Sequence, residues 1–362
     1  MNQQEKKAKA ILLSAGFSAK SISYIPEGSN HEVFIVTLED GEEQILKLPS
    51  QRYTEDNGHT DTLFGGDLSL KRESALYALA KGSGVPAPKV YAWSPAHPAF
   101  ILMEKMPGMP YTEFLQKNKH SKQAFLDSLY ALGQDFAKVH QLRFPSFGDI
   151  QGPEEIEPVG ITNFADRFSA IMERRVSRAE KKGALTAGEA DCARQFFLNA
   201  FDSLRPLLEW DVKPPTMVFT DMHADNFFVD ENGRPSGFFD LESSQAAPAE
   251  LEFYGLRFFL FNYYDQATFQ EAEAAFFTGY EEMGGAFAPK THEDHKLIDL
   301  LAGCRLLELT ESYWGYIDGL RDNWAVEIKA ILMDYLETET VNYVALADVF
   351  RAKTGQPKQP NA

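Results

Sequence analysis

Residues 218–242 read VFTDMHADNFFVDENGRPSGFFDLE, and the order of apolar and polar groups within them decides the fold. Residues 218–219 and 227–229 are apolar runs of strand length, Glu231, Asn232 and Gly233 form a turn signal, and residues 236–239 read as a third strand that stops at Asp240. Asp221, Asn226 and Asp240 are therefore set at strand ends. Phosphoryl transfer from a nucleotide needs such a set: one carboxylate accepts or orients the proton of the attacking hydroxyl, while an amide and a second carboxylate hold magnesium against the phosphates. An ordinary hairpin also uses Asp and Asn at turns and caps, so the reading leans on the rest of the chain.

The stretch resembles the catalytic loop and metal-binding segment of the aminoglycoside phosphotransferase family, small-molecule kinases with a protein-kinase-like fold. The family pattern runs His-Gly-Asp, a hydrophobic residue, His, two residues and Asn, then a hairpin and an Asp-aromatic-Glu-like segment. Asp221, Met222, His223, Asn226, Asp240 and Glu242 fall on it. Phe219 and Thr220 depart from it, because the family places His and Gly there. That His packs beneath the metal-binding loop, so the departure bears on loop geometry more than on chemistry. The resemblance implies Asp221 as catalytic base, with Asn226 and Asp240 as magnesium ligands.

Composition sets outer bounds. A chain of 362 residues holds one large or two medium domains with ample core. Its formal charge of −18 argues against a protein built to bind nucleic-acid phosphates. Cys192 and Cys304 are too few for a disulfide framework and read as free thiols of a reducing, cytoplasmic compartment. Residues 1–17 lack the long apolar region of a signal peptide, and the most apolar run, residues 253–264, is too short to span a bilayer, so no membrane partner is expected.

The first hundred residues read as a strand-rich nucleotide lobe. A helix over residues 5–15 ends at Gly16, strands over 21–25 and 32–38 flank Glu27-Gly28-Ser29-Asn30-His31, and Asp40-Gly41 turns into a strand over 44–48. In a kinase-like lobe Gly28, Ser29, Asn30 and His31 lie over the nucleotide phosphates, although one glycine also suits a plain hairpin turn. Lys47, on the strand after this loop, reaches the phosphates if a carboxylate holds its ammonium. Glu73, on a helix predicted over residues 67–81, is that partner by resemblance. Between them, residues 50–66 form a long polar stretch, a length that is usually functional or disordered. Strands over 89–93 and 100–103 lead into Glu104-Lys105-Met106-Pro107-Gly108, which resembles the hinge whose backbone meets the adenine ring, at Glu104 and Met106.

Beyond the hinge the pattern turns helical. Phe125, Leu129, Leu132, Phe136 and Val139 predict a helix over residues 122–141, with His140 at its end as a packing or capping group. Further helices are predicted over 161–178 and 188–208, where insertions in the family shape the acceptor site. After Asp240 the chain re-enters a helix near Ala249, which leaves very little room for the activation segment on which protein kinases seat a peptide. Pro248, Glu250, Leu251 and Glu252 resemble the family's Asp-Pro-containing run, with Ala247 in place of its Asp. Helices over 269–283, 292–318, 323–336 and 340–350 complete the lobe. Arg305, Glu308, Glu311 and Asp318 share one helical stripe, either a solvated face or the wall of a site for a cationic acceptor. His292 and His295 have helical spacing for a shared metal but no third ligand in view.

Together these readings predict an α+β, bilobal, protein-kinase-like fold: a nucleotide-binding lobe over residues 1–104, a hinge over 105–110, a catalytic and acceptor-binding lobe over 111–352 and a loose tail over 353–362. The resemblance implies transfer of the γ-phosphate of ATP or GTP, with Mg2+, to a hydroxyl of a small molecule such as an aminoglycoside-type antibiotic. Choline, sugar, fructosamine and homoserine kinases share the scaffold, and a nucleotide-binding pseudokinase is the reading from outside enzymology.

Overall fold

The computed structural model describes residues 2–26, 31–49, 70–95, 98–315 and 324–354. The expectations for Gly28, Ser29, Asn30, the 50–66 stretch and Asp318 fall outside them. Helix α1 (Gln3–Ser14) starts at a capping box in which Asn2 and Glu5 each bond the other's backbone N–H. Strands β1 (Ala19–Ile25), β2 (His31–Leu38), β3 (Glu43–Pro49), β4 (Val90–Ser94) and β5 (Phe100–Glu104) form one antiparallel sheet in the order β1-β2-β3-β5-β4. Alternation along a strand gives this sheet two apolar faces. Leu46, Leu48, Phe100 and Leu102 pack with Ala8, Ile11 and Leu12 of α1, whereas Ile101 and Met103 join the larger core through Leu76, Tyr77 and Ala80 of helix α2 (Leu70–Gly82). Lys47, between Leu46 and Leu48, consequently points to the α2 side.

The rest is mainly helical: α3 (Tyr111–Lys117), α4 (Lys122–Val139), α5 (Phe164–Lys181), α6 (Ala187–Leu204), α7 (Glu250–Phe259), α8 (Phe269–Glu282), α9 (His292–Tyr313), α10 (Trp324–Thr338) and α11 (Tyr343–Thr354). Helices α4 and α8 approach closely enough that a Cβ on Gly133 would lie 2.1 Å from the Phe276 carbonyl oxygen, and one on Gly279 would lie 2.0 Å from that of Tyr130. Only glycine fits these two positions. No helix among the described residues is long and apolar enough to cross a membrane.

Two small sheets position the polar loop. Strand β6 (Met109–Pro110) pairs with β10 (Phe227–Val229), which pairs with β11 (Pro235–Phe238). Strands β7 (Gly148–Ile150), β8 (Ile156–Glu157), β9 (Thr216–Val218) and β12 (Gln245–Ala247) form the other sheet, in the order β8-β7-β12-β9. Pairing of Val218 with Gln245 holds the entrance of the Asp221 loop against the chain that leaves Asp240.

Several boundaries differ from the sequence reading. Helix α5 starts at Phe164 and not at 161, because the Asn163 side chain caps it by accepting the Ala165 N–H. Helix α6 stops at Leu204, and a 3-10 turn over Arg205–Leu207 follows, with Pro206 inside it. Strands β6, β7, β8 and β12 and helix α3 have no counterpart in the sequence reading, since elements of two to seven residues carry little periodicity. His140 is buried, its Nδ1 3.0 Å from the Tyr280 hydroxyl. Burial pushes its imidazole down to about 3, so it is a neutral packing group.

Candidate active site

Lys47 Nζ is the centre of a buried charge cluster. It lies 2.8 Å from Glu73 Oε1, 3.0 Å from Asp240 Oδ1 and 3.4 Å from Glu242 Oε2. Glu242 Oε2 is also 2.9 Å from His31 Nε2, so β2, β3, α2 and the segment that follows β11 all contribute to one cluster. Burial by itself would lower the lysine's pKa, but Glu73, Asp240 and Glu242 together hold it well above the ordinary value. One ammonium cannot neutralise three carboxylates. Burial accordingly lifts Glu73 above the ordinary range against the pull of Lys47, whereas at Asp240 burial opposes and Lys47 prevails, leaving that carboxyl below it. Asp240 is the accessible member of the group, its side chain 47 % exposed.

Two residues that the sequence reading does not assign lock this cluster in place. Tyr77 donates its hydroxyl hydrogen to Glu73 Oε1 at 2.8 Å and accepts the Asp240 N–H at 3.3 Å. Arg72 is fully buried and donates to the carbonyl oxygens of Ile150, Glu242 and Ser244, so α2 is bonded directly to the segment after Asp240. The signal for Arg72 is its place beside Glu73, but sequence spacing does not say what it bonds.

The loop between β9 and β10 carries Asp221 and Asn226. Asn226 Nδ2 donates to the Asp221 carbonyl oxygen at 2.7 Å, and the Phe239 N–H donates to the Asn226 carbonyl at 2.8 Å, which links this loop to the strand end at Asp240. Thr220 has φ of +61°, in the left-handed region where a glycine is at ease. Its Oγ1 donates to the Ser243 carbonyl at 2.9 Å, and its own carbonyl accepts from the Tyr254 hydroxyl at 3.2 Å. Phe219 packs against Phe136 and Phe238 and gives its N–H to Glu252 Oε2 at 2.5 Å. Burial raises the Glu252 carboxyl to about 8, against the lowering effect of that N–H. The loop geometry is thus built from Phe219, Thr220, Glu252 and Tyr254.

The α9 stripe is an internal ion network and not a solvated face. Arg305 Nη2 lies 3.4 Å from Asp221 Oδ1, and its Nη1 lies 2.8 Å from Glu308 Oε2. Glu311 is buried and meets Arg175 at 3.4 Å, Arg178 at 3.5 Å and Lys182 at 2.5 Å. These acids already have cationic partners from α5, from the residue after it and from α9 itself. His295 bonds Arg257 through Nδ1 at 2.7 Å, and among the described residues the trio able to share a metal is His31, Glu73 and Glu242, not the α9 histidines.

The sequence model of the phosphotransferase enzyme family, APH, matches residues 21–292, three quarters of the chain. The chain belongs to this phosphotransferase family. No protein of curated function gives a significant sequence match. Among solved structures, one named as a putative fructosamine-3-kinase from Thermobifida fusca is similar at TM-score 0.62 and 17 % identity, over 91 % of this chain and 97 % of that one. The streptomycin-ATP complex of APH(2")-IIa is similar at TM-score 0.56 and 16 % identity, over 92 % and 97 %. The aminoglycoside phosphotransferase APH(4)-Ia gives TM-score 0.58 at 12 % identity, over 95 % and 99 %. At such identities the likeness establishes a shared fold, the kinase-like fold with its antiparallel sheet and helical second part.

Within this phosphotransferase, His31, Lys47, Glu73, Asp240 and the unassigned Glu242 come together, and Asp221 and Asn226 share the adjoining loop. Glu104 ends β5, where its carboxylate takes the Lys81 ammonium at 3.1 Å and the Lys89 N–H at 3.0 Å. Met106 is buried in the segment that follows. That segment is tied to the hairpin by the Ser236 hydroxyl, which donates to the Pro107 carbonyl at 2.7 Å.

Proposed function

We propose that this phosphotransferase moves the γ-phosphate of ATP or GTP to a hydroxyl of a small molecule. The observation that carries the reading is the convergence of Lys47, Glu73 and Asp240 within 3.0 Å contacts beside a loop that holds Asp221 and Asn226. In this reading the acceptor oxygen forms a bond to the γ phosphorus, the bond from that phosphorus to the bridging oxygen breaks with its electron pair leaving on the diphosphate, and the hydroxyl proton passes to Asp221. Lys47, oriented by Glu73, holds the phosphates, Gly28 to His31 cover them, and the backbone at Glu104 and Met106 meets the base. Little covalent work falls to the protein, so positioning and charge neutralisation dominate.

Magnesium fits the donors present. With the Asn226 amide nitrogen committed to Asp221, the side chain's remaining donor is its oxygen, and Asp240 adds an accessible carboxylate in a cluster with more acids than bases. Oxygen ligands of this kind suit a hard divalent cation, and when bound it supplies charge neutralisation at the phosphate oxygens.

The short link from Asp240 to α7 favours a small acceptor over a peptide. Aminoglycoside-type antibiotics and hydroxylated metabolites both satisfy that requirement. The pairing of Glu308 and Glu311 with basic side chains speaks against those acids serving a cationic acceptor. The test is release of ADP or GDP in the presence of magnesium and a panel of neutral, amino-bearing and acidic hydroxyl compounds. Stimulation by one class supports the kinase and identifies the acceptor. Nucleotide binding without turnover across the panel would instead mark a non-catalytic nucleotide binder.

A further inference from the structure

Asp221 is a loop carboxylate, 29 % exposed, and a side chain in that setting needs something to hold its orientation. Its two oxygens have different neighbours. Oδ1 faces Arg305 Nη2 at 3.4 Å, whereas Oδ2 faces His223 Nε2 at 3.9 Å. Arg305 is itself fixed: its side chain is 11 % exposed, its other terminal nitrogen is 2.8 Å from Glu308, and Glu308 is 3.7 Å from Arg175 of α5. A guanidinium held by Glu308 at one terminal nitrogen presents the other in a fixed direction, on which a carboxylate can be oriented. Arg305 also lies on α9, beyond residues 21–292 that match the family model.

We propose that Arg305 is the positioning residue for Asp221: it holds Oδ1 and so leaves Oδ2 as the oxygen that receives the acceptor's proton. The inference rests on the kinase reading above and deepens it. Because a displacement of about 1 Å at a reacting group costs roughly 10²-fold in rate, loss of the fork acts on turnover and not on nucleotide affinity.

The experiment measures hydrolysis of Mg·ATP with water as acceptor, alone and then with any stimulating hydroxyl compound, in wild type, Arg305→Met and Arg305→Lys, together with ATP affinity and melting temperature. Arg305→Met is expected to lower kcat by about 10- to 100-fold with the KM for ATP unchanged, and Arg305→Lys to recover part of the loss because it keeps the charge without the fork. Wild-type turnover in Arg305→Met overturns the inference. So does a parallel fall of ATP affinity and melting temperature that Arg305→Lys fails to relieve, which is the mark of a purely structural arginine. If wild type itself turns over neither with water nor with any acceptor, the kinase reading falls and takes this inference with it.

Discussion

Tyr77 donates its hydroxyl hydrogen to Glu73 Oε1 across 2.8 Å, one turn further along the same helix. The bond steadies a buried carboxylate that Lys47 alone would have to hold, and the Tyr77 hydroxyl oxygen in turn accepts the Asp240 N–H. Tyr77→Phe should therefore destabilise the protein by about 2 kcal/mol, the usual range for a hydrogen bond to a charged group. Denaturant unfolding with an unchanged m-value checks it, and a variant as stable as wild type would show that Glu73 does not depend on Tyr77.

Glu252 sets a pH dependence whose sign is fixed. Its carboxyl is pushed up to about 8 in the folded protein by burial, so between the ordinary carboxyl range and that value the native state binds more protons than the unfolded chain. Stability from this group is therefore present at acid pH and is lost as pH rises, by at most about 1.4 kcal/mol per pH unit while it titrates. Glu252→Gln keeps an oxygen for the Phe219 N–H and does not ionise. Its melting temperature relative to wild type should rise from pH 5 to pH 8.5, whereas a constant difference would mean that Glu252 has no such shift.

Thr220 combines a backbone cost with a hydrogen-bond gain. Thr220→Gly relieves a left-handed β-branched residue but loses the bond to the Ser243 carbonyl, so the two effects should cancel to within about 1 kcal/mol. Thr220→Val keeps the strain and loses the bond, and should cost about 1 to 3 kcal/mol. Equal stability of the two variants would remove the backbone strain from the account, and a Thr220→Val protein as stable as wild type would remove the hydroxyl.

Glu311 separates the internal network from a substrate role. Its replacement by Ala removes the nearer of the two acids that face the buried Arg175, with Glu308 remaining at 3.7 Å, and should destabilise the fold by about 3 kcal/mol, the low end for a buried pair because that second acid stays and because Arg178 and Lys182 still reach water. Unfolding midpoints decide it. Unchanged stability, with a raised KM for an amino-bearing acceptor, would return Glu311 to the acceptor site.

The polar loop and Lys47 are legible in the sequence because their evidence is local. Asp221, Asn226 and Asp240 stand within twenty residues, and Lys47 interrupts an apolar strand. Arg72, Tyr77 and Arg305 are not legible in the same way. Arg72 has no legible role until α2 is seen against Glu242 and Ser244, and the spacing that predicts the helix assigns nothing to Tyr77. Arg305 meets Asp221 across 84 positions, so its meaning exists only once α9 has folded back on the loop. The stripe misleads for a related reason: spacing places Glu308 and Glu311 on one face but says nothing of the arginines on α5 that face them.

The central claim is that Asp221 takes the acceptor's proton while the Lys47 cluster and its metal hold the nucleotide. Titration of Asp221→Asn with Mg·ATP, alongside its turnover with water or a stimulating acceptor, tests it most directly. The account predicts ATP affinity close to wild type and turnover reduced by at least about 10²-fold, the contribution of a positioned base. Full turnover in Asp221→Asn would contradict it.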